Sequence, residues 1–137
     1  MPLPFLRGQP RNIGLLNGRL NACPSSPNCV CSDAQAGRHA IDPLHLSVDP
    51  AKAWSAAVET VRTTARTRII TETGNYLHAE YASGFFGFVD DLELHLRPDE
   101  RIIAVRSASR LGYADFGVNR ARVENLRAML RGQEVAS

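Results

Sequence analysis

No uncharged apolar run in this chain approaches the roughly 18 residues that a bilayer crossing needs. The first residues, MPLPFLRGQPRNIG, also lack the apolar core of a secretory leader. From these absences the expectation is a cytoplasmic protein with no membrane span. A large excess of one charge is missing too. Sixteen basic against fourteen acidic residues leave a net charge of +2, too weak a field for a dedicated nucleic-acid binder. There is no glycine loop to cradle phosphates, no run of metal ligands at a known spacing, and no nucleophile with a base at a recognisable distance. No cofactor is therefore expected, and the reading leans away from an enzyme. What is present, 137 residues of which 44% are hydrophobic and 22% charged, fits one domain large enough to bury its own core.

Cysteine is scarce: Cys23, Cys29 and Cys31 lie together in CPSSPNCVC. An odd number cannot be consumed by intrachain bridges, so at least one thiol stays free. Zinc held by Cys23, Cys29 and Cys31 with His39 or His45 is a weak alternative, because the spacing matches no finger or ribbon. A Cys23–Cys29 bridge would close a short loop, but a reducing cytoplasm opposes it. Partly buried thiols in a proline-rich turn are the favoured reading.

Residues 1–46 hold six of the eight prolines and four of the ten glycines, so they read as an extended, irregular strap packed on the domain. Ile13, Leu15, Leu16 and Leu20 would lie along it. An α+β domain is expected over residues 47–132, followed by a tail at 133–137. Asp49 offers a capping carboxylate and Pro50 a residue already fixed at helical φ, and Trp54, Val58, Val61 and Ala65 follow at helical spacing. Period-two patterns then begin. RIITET and YLHAEYAS flank Gly74-Asn75, a pair that tolerates the positive φ of a tight hairpin. VDDLELHLR and RIIAVRSAS flank Pro98-Asp99 and form a second hairpin, after an aromatic connection, Gly84 to Phe88, that caps the core or offers a binding lip. A last helix is expected from about Phe116 to Arg131, capped by Asp115, stopped by Gly132, with Val123, Leu126 and Leu130 inward and Arg120, Glu124, Arg127 and Arg131 solvated. The predicted fold is thus a four-stranded antiparallel meander with two helices on one face.

In the second hairpin Leu92, Leu94 and Leu96 alternate with Asp91, Glu93 and His95, which predicts one apolar and one wet face. A two-residue turn sets Leu94 opposite Ile103, Leu92 opposite Val105, Asp90 opposite Ser107 and Asp91 opposite Arg106. A turn longer by two residues moves Arg106 to Glu93 instead. Counting by twos, Asp90, Ser107 and Ser109 fall on the apolar face, and Asn119 points inward from the last helix. Unpaired in the core, each would cost about 1 to 3 kcal/mol. They either bond to one another and to the LGYADFG backbone, fixing the corner, or line a small pocket. In the second case Arg106, Arg110 and Arg120 present donors to a carboxylate or phosphate, with Ser107, Ser109, Asp90, Asp115 and Asn119 around them. Hydrolase chemistry is disfavoured: His39, His45, His78 and His95 stand at no recognisable spacing from the serines, and the adjacent Asp90 and Asp91 face opposite ways. His78 and His95 read as surface residues in mid-strand.

CPSSPNCVC, FVDDLELHL and VRSASRLGYADFGVNRARVENL, in this order from about Asn12 to Leu130, resemble the uncharacterised family catalogued as domain of unknown function 1499. The resemblance implies a single globular domain, in some members tethered to membranes or exported, and brings no established activity. Its pattern falls here on Cys23, Pro24, Pro27, Asn28 and Cys29, on Asp90 and Asp91, and on Arg106, Ser107, Ser109, Arg110, Gly112, Asp115, Gly117, Asn119 and Arg120. Cys31 departs from a commoner serine, which weighs against a role for three thiols. The leading expectation is a non-catalytic domain binding a small anionic ligand or a protein partner at the end of the sheet. The alternative is an enzyme, or a redox or metal protein, using Cys23 and Cys29 near Asp90. A structural module docking on another subunit through its strap and aromatic loop is a third.

Overall fold

The computed structural model describes residues 12–82 and 88–137. Helix α1, Pro50–Arg62, starts as its chemistry predicts: the Asp49 carboxylate accepts from Lys52 N at 3.2 Å and proline opens the first turn. It ends at Arg62, so Ala65 falls outside it. Ala53, Trp54, Ala57, Val58 and Val61 are its buried stripe. Helix α2, Val118–Gly132, begins two residues later than expected, after Phe116 and Gly117 at φ 54° and 83°. The Asp115 carboxylate nonetheless caps it from outside, accepting from Gly117 N and Asn119 N.

Four strands run as the expected antiparallel meander, β5 (Thr67–Glu72), β6 (Tyr76–Ala82), β7 (Val89–Arg97) and β8 (Ile102–Ser109), but the sheet has six. The region read as irregular supplies β3 (Cys29–Cys31) and β4 (Leu44–His45), which pair antiparallel with successive stretches of β8. Strands of two or three residues carry too little alternation to be read from sequence. They satisfy the outer backbone groups of β8, which would otherwise be orphaned. A separate hairpin of β1 (Leu15–Leu16) and β2 (Arg19–Leu20) turns through Asn17 and Gly18, both at positive φ. Residues 133–137, expected as a tail, are also tied down: Val135 and Ala136 are buried, and Ser137 and His45 exchange backbone hydrogen bonds.

The β5–β6 turn forms at the expected place by other means. Thr73 accepts at its hydroxyl from Asn75 N and Tyr76 N, and neither Gly74 nor Asn75 takes a positive φ. The β7–β8 turn is the longer of the two alternatives, a Pro98–Glu100 3₁₀ turn completed by Arg101 at φ 54°. It sets Leu94 opposite Val105, Leu92 opposite Ser107, Asp90 opposite Ser109 and Glu93 opposite Arg106. The two-residue register, with Leu92 opposite Val105, Asp90 opposite Ser107 and Asp91 opposite Arg106, is thereby corrected. Side-chain parity survives a shift of two, so the leucines stay in the core.

Both helices cover that apolar face. Trp54, Val58 and Val61 of α1 and Val123, Leu126 and Leu130 of α2 join Leu77, Leu92, Leu94, Ile103 and Val105 in one cluster. The opposite face, expected to be wet, is buried over much of its area: His78, Asp91, Glu93, His95, Arg97 and Arg106 are all shielded. Part of the N-terminal segment packs against it, with Leu20 joining Cys31 and Ala104. Among the described residues no helix is long and apolar enough to cross a membrane.

Candidate functional site

Two polar constellations lie back to back through the sheet, because residues 106 to 110 alternate faces as β8 runs into its loop. On the helix side, Asn119 is the hub. Ser107 Oγ donates to Asn119 Oδ1 at 2.7 Å, and Asn119 Nδ2 reaches Ser109 Oγ, Asp115 Oδ2 and Asn28 O at 2.9, 2.8 and 3.2 Å. Asp90 pairs with Arg122 at 2.8 Å, and Arg122 also donates to Asn119 Oδ1 and Ser107 Oγ. Asp90, Ser107, Ser109 and Asn119, expected to converge, lie at this one corner: the serines bond to Asn119 directly, and Asp90 joins them through Arg122. Burial works against ionisation of Asp115, but donors from Asn119 and Gly117 outweigh it and hold the carboxyl below its ordinary value.

The three predicted arginines are not gathered there. Arg106 and Arg110 point to the other face and Arg120 lies on the outer side of α2, while Arg122, not foreseen, supplies the guanidinium at the corner. Arg110 grips Asp91 through two bonds of 2.8 Å and Glu80 through one of 2.6 Å. Burial opposes the charge of Asp91, yet Arg110 and His78, 2.7 Å from it, keep it below the usual carboxylate range. Glu80 is held low in the same way, against its burial, by Arg110 and Arg68. Glu93, 0% exposed, accepts from Tyr76 Oη at 2.6 Å, Gly14 N at 2.9 Å and Arg106 at 3.3 Å. Burial and then the Glu93 bond push the Tyr76 hydroxyl well above its ordinary range. Arg106, 1% exposed, also donates to Ala22 O, and its Nε has no partner among the described residues.

Further along this face Arg97 holds Asp33 through two bonds of 2.7 Å, and Asp33 also takes Leu20 N and Arg19. Sequence alone offered no reason to single out Asp33. The link to it runs through the Asn17-Gly18 hairpin, whose returning strand β2 bonds to Asp33 through Arg19 and Leu20 N. His78 and His95, read as surface residues, are buried instead. Burial first, and then the positive field of Arg97, lowers the pKa of His95, whose Nδ1 accepts from Arg97 Nε at 3.1 Å. Arg127, read as solvated, is buried and donates to the carbonyls of Asp42 and Pro43. Phe85 and Phe86 of the aromatic connection lie outside the described residues.

Cys23 and Cys29 are joined in a disulfide, and Cys31 is free and buried. The thiol reading is corrected for the first two, and the zinc alternative built on Cys23, Cys29 and Cys31 loses two of its three ligands. Among the described residues no group of three or more His, Cys, Asp or Glu side chains is placed to hold a metal ion. Cys29 faces the same side as its partner Ala108 and as Asp91, opposite Asp90, so the expected approach of the cysteines to Asp90 does not occur. The six-residue step between the bridged cysteines carries buried Asn28. This side chain donates to Gly112 O at 2.9 Å, and its carbonyl accepts from Ser109 N and Asn119 Nδ2.

Outside the corner lies an open cleft of about 280 Å³, lined by Pro27, Arg38, Asp115, Phe116 and Arg120 among others. Arg120 donates to the carbonyls of Arg38 and Ala40, and Arg38 to that of Ser25. Among the described residues neither has a carboxylate partner, whereas Arg97, Arg106 and Arg122 each have one and Arg110 has two. Phe116 on the rim is 97% exposed, with Tyr113 and Val118 also exposed nearby in the chain.

A family model described as "Protein of unknown function (DUF1499)" matches residues 19–130. Searches of the curated proteins and of the solved structures find no match.

Proposed function

Since the chain belongs to the DUF1499 family of proteins of unknown function, we propose from the arrangement of its side chains that it is a binding module for a small anion carrying an apolar or aromatic group. The observation that carries this reading is the cleft between Arg38 and Arg120. Two guanidinium groups that have no carboxylate partner among the described residues border one open space, beside a phenyl ring left almost wholly in water. A guanidinium bonded only to carbonyls keeps its charge and spare donors for a carboxylate or phosphate. The Asp115 carboxylate in the same lining already accepts three N–H bonds, which reduces its repulsion of an anion.

This reading moves the anion site anticipated at Arg106, Arg110 and Arg120 outward to Arg120 and Arg38. Ser107, Ser109, Asp90 and Asn119 become the supports that hold its floor. Catalysis has less in its favour. Among the described residues Ser107 and Ser109 bond to Asn119 and to no histidine, and no hydroxyl or thiol bonds to His78. A disulfide at Cys23–Cys29 favours an oxidising compartment over the cytoplasmic one expected from sequence.

Calorimetric titration with phenyl phosphate and benzoate tests the reading. Binding is expected, and Arg120→Gln should weaken it about 10-fold or more, the cost of a charged hydrogen bond. Phe116→Ser should weaken it without changing the melting temperature, because the residue is 97% exposed. Absence of binding by both compounds, or binding indifferent to Arg120, would sink the proposal.

A further inference from the structure

We propose that Cys23 Sγ is the point at which an external dithiol opens the Cys23–Cys29 bridge, and that this exchange unlatches the wall of the anion cleft. The coupling to binding rests on the anion-cleft reading; the exchange and the unlatching stand apart from it.

The two sulfurs are not equally accessible. Cys29 is buried on β3, whereas Cys23 is partly exposed and lines a second open cleft of about 260 Å³ with Ala22, Asp33 and His39. An incoming thiolate reaching through that cleft attacks Cys23 Sγ. The Cys23–Cys29 bond breaks, a mixed disulfide forms on Cys23, and Cys29 leaves as a thiolate that takes up a proton. The second thiol of the dithiol then attacks the mixed disulfide, releasing Cys23 as a thiol and leaving the reagent as an oxidised cyclic disulfide. Two electrons and two protons pass from the dithiol to the pair. Cys31 also lines this cleft, but it is buried and its thiol is directed at Asn21 O, 3.8 Å away. Burial raises its pKa, which disfavours it as a competing nucleophile.

The consequence follows from what the bridge closes. Between Cys23 and Cys29, Ser25 O accepts from Arg38, Pro27 lines the anion cleft, and Asn28 joins the corner at three points. Ser26 Oγ in turn donates to Asn28 Oδ1 and fixes that amide. Opening the bridge frees one end of this short loop. Asn28 then holds Gly112, Ser109 and Asn119 against a much larger chain entropy. The strand-to-helix loop that carries Phe116 is then tethered less firmly at Gly112, while the sheet and the two helices keep their common core.

Brief exposure of the oxidised 137-residue chain to 2-mercaptoethanol, acid quench and peptide mapping should place the mixed disulfide on Cys23. A mixed disulfide on Cys29, or none on either, overturns the exchange site. After full opening with dithiothreitol, amide exchange should speed up about 10-fold or more at Ser109, whose N–H is bonded to Asn28 O, with β6 and β7 still protected. Unchanged exchange at Ser109 with the bridge verified as open overturns the latch. So does loss of protection throughout the sheet, which would make the bridge a staple of the whole fold. Phenyl phosphate should bind the oxidised chain about 10-fold or more tightly than the reduced one. Equal affinities overturn the coupling. No binding in either state removes the anion reading, and Ser109 exchange still decides the latch.

Discussion

Arg106 and Glu93 show what a buried charge demands of its neighbours. Neither side chain reaches water, and Arg106 Nε has no partner among the described residues, so the pair is held by geometry that only the complete fold supplies. Attraction between two such groups roughly offsets their desolvation, but removing one leaves the other charged and unpaired. Glu93→Ala should therefore destabilise the protein by about 3 to 5 kcal/mol in urea unfolding, whereas Glu93→Leu combined with Arg106→Met should recover most of the loss. A double variant no more stable than Glu93→Ala would mean that the Tyr76 and Gly14 bonds to Glu93 matter more than the ion pair. The sequence reading had placed Glu93 and Arg106 on a wet face. Alternation assigns a residue to a side of a sheet but is silent on what else covers that side.

At the level of elements, the junction of β8 and α2 is held by one amide. Asn119 serves both serines, Asp115, Arg122 and the carbonyl of Asn28, so Asn119→Ala orphans several buried groups together. A loss of about 3 kcal/mol or more is expected in thermal or urea unfolding. A loss near that of an ordinary helix cap, about 1 kcal/mol, would show that water replaces Asn119. This corner was legible in the sequence because parity along β7 and β8 is insensitive to a register shift of two. The arginines were not legible: Arg106 and, just past the strand, Arg110 face away from the corner, and a loop of eight residues with positive φ at Gly112, Phe116 and Gly117 re-aims whatever follows it. The start of α2 moved for the same reason.

For the molecule as a whole, charge is spread over both sides of the sheet, and this makes stability sensitive to pH in two stages. His95 titrates below its ordinary value of 6.5 when folded, so the unfolded chain takes up the proton first. Its contribution is complete above 6.5 and falls as the pH drops through the folded value. Asp33, Glu80, Asp91 and Asp115 are likewise depressed, from ordinary values of 3.8 for aspartate and 4.5 for glutamate. Their contribution is present above those values and is lost in more acid solution as each folded carboxyl protonates. Urea midpoints measured against pH should fall in both windows, and His95→Gln should flatten the first and leave the second. By itself the sequence determined the α+β class, the antiparallel order of β5 to β8 within a larger sheet, α1 with its Asp49 cap, and the inward set of Asp90, Ser107, Ser109 and Asn119, since local capping chemistry and period-two alternation need no knowledge of distant chain. Only the tertiary structure decided that β3 and β4 extend the sheet, that its second face is buried, that Cys23 meets Cys29, and that Arg38 and Arg120 border one cleft. Those outcomes depend on contacts between segments far apart in sequence, where backbone groups and charges take whichever partners the packed core brings within reach.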